Sequence, residues 1–132
     1  MRNYDPDKHI DPEVWMAVDE DERAYLVEKY HTKKRLKMPN LKLHAILHVV
    51  VENQIALGEA LPTKNALARL MRQGLSRHDA VHALATVLSS HIFDLMKNGS
   101  SGADPNADYI REIEKLNAQD WLNSMSEEFE DD

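Results

Sequence analysis

The sequence predicts an all-α protein, a single-domain helical bundle of about five or six helices. Three observations carry that reading. Helix start and stop residues alternate along the chain, and two long apolar segments each hold a pair of histidines at helical spacing. No stretch shows the polar–apolar alternation of a half-buried strand. At 132 residues, 42% of them hydrophobic, the chain suits one domain with one core. The domain is expected over residues 1–125, with an irregular arm at 1–10 and a loop at 99–108. The acidic residues 126–132 are expected to form a disordered tail.

Each element follows from local chemistry. Asp11–Pro12–Glu13 places an N-cap acid, a proline at the first helical position and an acid in the first turn. Asp19 opens the next helix, with acids early and Lys33, Lys34 and Arg35 late, as the helix dipole favours. Met38–Pro39–Asn40 ends it. Asn40 is placed to cap the segment Leu41–Leu57, LKLHAILHVVVENQIAL, which Gly58 closes. Thr63 is the expected cap of a short helix that ends at Gly74. Ser76, with Asp79 three residues on, opens the segment Ser76–Met96, which should last to Asn98–Gly99. Residues 107–125 supply one last amphipathic helix, packing Tyr109, Ile110, Ile113, Leu116, Trp121 and Leu122.

The chemistry concentrates in the two histidine-bearing segments. His44 and His48 stand four residues apart on the first, and His78 and His82 repeat the spacing on the second. At 100° per residue each pair spans about 40° of the helix wheel, so one helix presents two imidazoles in one direction. Glu52 continues the first spacing. Leu41, Leu47, Val51 and Ile55 share the direction of His44, which predicts a central helix buried nearly all round. Ala85, Ile92, Phe93 and Met96 share that of His78 and His82, so both pairs are expected to point inward.

Buried imidazoles need partners on both nitrogens, and a divalent metal supplies one of them. The expected ligands are His44, His48, His78 and His82, with Glu52 as ligand or general base. His31, from the E-x-x-H pair Glu28–His31, is a further candidate. Such a set suits zinc, iron, manganese or nickel. Asp79 reads as a cap, and His91 falls on the opposite side of its helix from His82. The alternative is a set of core histidines bonded to carbonyls or carboxylates. Convergence of the four imidazoles between two facing helices separates the two readings.

Bulk properties exclude several classes. There are no cysteines, hence no disulfide, thiolate site or thiol nucleophile, which suits a reducing cytoplasm. The net charge of −7 argues against general nucleic-acid binding. No segment approaches the ~20 apolar residues of a membrane span, and the first residues lack the apolar core of a signal peptide. Neither a glycine-rich phosphate loop nor a serine-nucleophile motif occurs.

The segments Glu22–His31, Leu43–Gly58 and Leu67–Ala83, with the helix that follows, together resemble a family of small bacterial proteins of uncharacterised function. The resemblance runs from Glu22 to Lys97 and is marked by YH, HxxxHxxxENQ and RHDAxHA. It implies that Tyr30, His31, His44, His48, Glu52, Asn53, Gln54, Gly74, His78 and His82 belong to one pattern, in a bacterial cytoplasmic protein. It supplies no activity.

The function expected first is therefore a metal-binding helical protein; as an enzyme it would be a metal-dependent hydrolase or oxidoreductase. The alternative is a non-metal interaction or regulatory module. Its partner would be another protein or a second copy of the chain, docked on Val14, Trp15, Met16 or the Trp121 helix. Core packing is the simpler use of both tryptophans. A helix-turn-helix over Thr63–Val87, with Lys64, Arg69, Arg72 and Arg77, is a weaker regulatory form. It would have to turn His78 and His82 toward DNA.

Overall fold

Capping chemistry sets most of the boundaries. In the computed structural model, which describes residues 1–34, 40–99 and 105–130, the helices are α1 (Pro12–Ala17), α2 (Glu20–Lys33), α3 (Leu41–Ala56), α4 (Thr63–Arg72), α5 (Arg77–Asn98), α6 (Pro105–Lys115) and α7 (Ala118–Glu130). A 3-10 turn, Gly58–Ala60, joins α3 to α4. The side chains of Asp11, Asn40 and Ser76 accept the amides of Glu13, Leu43 and Asp79, as expected of N-caps. Gly99, at φ 67°, ends α5 in the left-handed region.

The architecture is all-helical among the described residues, with seven α-helices where five or six are expected. The added helix comes from the C-terminal segment, which Asn117 divides in two. Its side chain accepts the amide of Asp120 and its carbonyl that of Trp121, so α7 starts afresh after α6. Thr63 also departs from expectation. It lies inside α4, and its hydroxyl donates to Gln54 Oε1 at 2.8 Å instead of capping. The expected stop at Met38–Pro39 lies outside the described residues, as does the 100–104 part of the expected loop. The backbone remains helical to Glu130.

α3 is the hub, packing on α1, α2, α4 and α5. Two apolar clusters flank it. Val51, Leu70, Val81, Leu84, Ile113 and Trp121 build one, and Tyr4, Trp15, Leu26, Val27, Ala45 and Val49 the other. Both tryptophans are therefore core residues, Trp15 at 1% and Trp121 at 7% exposure. α3 is not covered all round, because Leu43 and Ile46 are exposed.

α3 and α5 run antiparallel. Glu52 meets Arg77 at one end of the contact, and His44 meets His82 at the other. In this register α5 continues past the start of α3, since it has 22 residues against 16. Ile92, Phe93 and Met96 lie on that overhang and are exposed, although they share the direction of the histidines. Among the described residues no helix is long and apolar enough to cross a membrane.

Candidate metal centre

Three helices contribute imidazoles to one point. α2 brings His31, α3 brings His44 and His48, and α5 brings His78 and His82. His31 and His48 are fully buried, and the other three are partly buried. The His48 ring is 4.7 Å from His44, 4.8 Å from His82, 5.1 Å from His31 and 5.6 Å from His78, centroid to centroid. The ligand atoms of His31, His48, His78 and His82 all lie within 4.8 Å of one another. His44 adjoins this group, its Nε2 3.0 Å from His31 Nε2. His78 Nε2 and His82 Nε2 are likewise 3.0 Å apart.

Hydrogen bonds fix two of the tautomers. His31 Nδ1 lies 2.8 Å from the Val27 carbonyl, which can only accept, so Nδ1 carries a proton, and in the neutral ring Nε2 then holds the lone pair. His48 Nδ1 lies 3.1 Å from the Tyr4 hydroxyl, which donates to Glu52 Oε2 at 2.6 Å. That hydroxyl has one proton and has given it to the carboxylate. His48 Nδ1–H must then donate to the phenol oxygen, which leaves Nε2 as a lone pair here too. His48 Nε2 is buried and has no hydrogen-bond partner among the described residues.

Glu52 stands behind the cluster. Its two oxygens take a two-pronged ion pair from Arg77, at 2.8 and 2.9 Å, and Oε2 also accepts the Tyr4 hydroxyl. Its oxygens are thus committed, and it meets the imidazoles through Tyr4. Glu28 is outside the group, in a groove with Tyr25, Lys29 and Thr32. His91 stacks on Tyr109 with centroids 5.2 Å apart. Asp79 serves the start of α5 through its amide. The inward histidine face of α5 is the one a helix-turn-helix would need on its surface.

Electrostatics favour the neutral form of His44, His48, His78 and His82. Burial first, then the neighbouring His31 and His78, lowers His44 to about 4. Burial and then His78, His44 and His31 lower His82 to about 3. His48 is pushed far below its ordinary value by burial and by the four histidines around it. His78 is lowered by burial, against opposing pulls from Asp7, Asp79 and Asp5. Burial, and then the Glu52 charge, raises Tyr4 well above the ordinary phenol range, so it remains a proton donor.

Sequence reasoning pairs the histidines and keeps His31 as a further candidate, but it misses Tyr4 and places Arg77 only among the basic residues of a helix-turn-helix. Tyr4 lies on an arm without periodicity, 44 residues from its imidazole partner. Arg77 had one available signal: a basic first residue on α5, where the helix dipole favours acids, needs a carboxylate partner.

A helical protein with an imidazole cluster between three helices is the class that this fold and site define. The model of a family described as a domain of unknown function, DUF1841, matches residues 8–115, and the chain belongs to that family. Comparison with curated proteins and with solved structures finds no match.

Proposed function

We propose that this protein binds one divalent transition metal between α2, α3 and α5, with His31, His48, His78 and His82 as ligands and His44 beside them. The observation that carries the reading is the buried, unpartnered Nε2 of His48. An orphaned buried polar atom costs about 1–3 kcal/mol, and a metal ion removes that cost. The tautomers of His31 and His48 support it, since both present a lone pair on Nε2. So does the neutrality of His44, His48, His78 and His82, because a protonated imidazole cannot ligate.

Imidazole nitrogens on one tetrahedral zinc ion stand about 3.3 Å apart at bond lengths of about 2.0–2.1 Å. The 3.0 Å His78–His82 pair and the 4.8 Å envelope are on that scale. An all-imidazole set favours zinc, iron or nickel over manganese, which prefers oxygen ligands. When bound, such an ion acts as a Lewis acid or, if redox-active, as an electron carrier. The chain's own contribution is to hold the His48 Nε2 lone pair bare among the other imidazoles and to keep Glu52 one residue removed. The lack of cysteine suits work in a reducing cytoplasm.

Metal analysis of tag-free protein tests the reading. About one equivalent per chain is expected, and less than a tenth would defeat it. The His48→Ala, His82→Ala double variant should lose the metal. The exposed Ile92, Phe93 and Met96 favour a second reading, an interaction module in which α5 docks on another protein or a second copy. Light scattering across a concentration series tests self-association, and a Phe93→Glu variant should abolish any that is found.

A further inference from the structure

The N-terminal arm touches the centre at three points. Tyr4 donates to Glu52 and accepts from His48. The Pro6 carbonyl accepts from Arg77 Nη1 at 2.8 Å, and Asp7 Oδ1 accepts the amide of His78 at 3.0 Å. Each contact ends on a histidine of the cluster or on the ion pair behind it. Tyr4 itself is 3% exposed, with its ring 5.7 Å from Trp15 and 6.1 Å from Tyr30, edge-on to the latter. It is held by packing as well as by polar contacts.

We infer that Tyr4 is a positioning residue for the metal centre: the arm carries in the hydroxyl that fixes the His48 tautomer and keeps its Nε2 bare for the ion. The inference rests on the metal reading above. The Glu52 carboxylate makes its hydrogen bonds to Arg77 and Tyr4, and the phenol stands between it and His48. The hydrogen-bonded link from that carboxylate to the imidazole runs through the phenol. A carboxylate–phenol–imidazole chain of this kind raises ligand basicity and sets ring orientation, as carboxylate–histidine pairs do at zinc sites.

The coupling runs both ways. A cation on Nε2 makes Nδ1–H a stronger donor to Tyr4, so metal tightens the arm. By linkage, a docked arm tightens metal binding by the same factor. Without metal, the orphaned Nε2 makes the closed arrangement costlier, and the arm should open more often.

The test uses the full tag-free chain and zinc as the probe. Tyr4→Phe keeps the ring and removes the hydroxyl, so zinc affinity measured against a competing chelator should fall roughly 10–100-fold. Amide exchange over residues 4–8 should slow on adding zinc to the wild type, on the order of tenfold, and stay unchanged in Tyr4→Phe. Wild-type affinity in the variant, or equal zinc protection of both arms, would overturn the inference. Two-bond nitrogen–proton spectra of the wild type give a readout that mere packing would not move. His48 should show Nδ1–H without metal and keep it with zinc, whereas Nε2–H or coordination through Nδ1 would overturn the idea. Should Tyr4→Phe not fold, this tautomer and the wild-type exchange decide alone. If the wild type binds no zinc or other metal, the metal reading falls, and the His48 tautomer still tests the Tyr4 relay.

Discussion

Glu52 and Arg77 show how a buried charge is tolerated in this fold. Each is nearly inaccessible, and together they form a two-pronged pair that also anchors the arm through Pro6 and Tyr4. Removing one partner strands the other charge. Arg77→Ala should therefore cost about 3–5 kcal/mol of stability in urea unfolding, and a loss below ~1 kcal/mol would mean that water reaches Glu52. His48 predicts the opposite sign. His48→Leu removes an unsatisfied nitrogen while Tyr4 keeps its bond to Glu52. Metal-free His48→Leu should be at least as stable as the metal-free wild type, yet gain nothing from zinc. A variant much less stable than the wild type would show that His48 is a satisfied core residue.

At the scale of one element, α3 organises the fold through three consecutive polar residues. Successive residues turn by about 100°, so Glu52, Asn53 and Gln54 reach three different parts of the chain. Glu52 holds the arm and α5. Asn53 Oδ1 accepts from Trp15 Nε1 on α1 at 2.8 Å and from Arg23 Nη1 on α2 at 3.1 Å. Gln54 Oε1 accepts from Thr63 at 2.8 Å on α4 and from Tyr109 at 2.9 Å on α6. Asn53→Leu strands two donors at once, about 1–3 kcal/mol for each, and should let α1 loosen. A red shift of Trp15 emission with lowered stability is the expected result; unchanged emission and stability would count against the clamp. The histidine pairs and the caps Asp11, Asn40 and Ser76 were legible because they are local, repeating every four residues or sitting beside the turn they cap. The E-N-Q clamp, Tyr4 and Arg77 were not, since all their partners but Thr63 lie 25 to 71 residues away and only the packed fold chooses them. For the same reason His44 and Glu52, adjacent to the site on the helical wheel, take different places from His48 in space. The apolar run Ile92–Met96 pointed inward on the wheel, and only the unequal lengths of α3 and α5 leave it exposed.

For the whole molecule, the histidine centre ties stability to pH and, on the proposed reading, to metal as well. His44, His48, His78 and His82 are all held below their ordinary values in the fold. The unfolded chain binds protons at these positions near pH 6.5, while the folded chain resists until about 4 at His44 and about 3 at His82. Over that interval the unfolded state carries more protons, so stability rises with pH. Metal-free protein should accordingly be most stable above about pH 7 and weaken as pH falls from there through 6.5 toward 4. His78 adds least to this loss, because Asp7, Asp79 and Asp5 oppose its shift. If the metal reading holds, zinc at a hundred times its dissociation constant should add ~2.7 kcal/mol at neutral pH, a rise in Tm on the order of 10 °C. That gain must shrink as protons compete for the same nitrogens. Thermal melts at pH 7.5, 6.5 and 5.5, with and without zinc, check both slopes. A metal-free Tm that stays flat across this range, or a zinc shift that does not diminish toward pH 5.5, would show that the neutral imidazoles are not what links the fold to the ion.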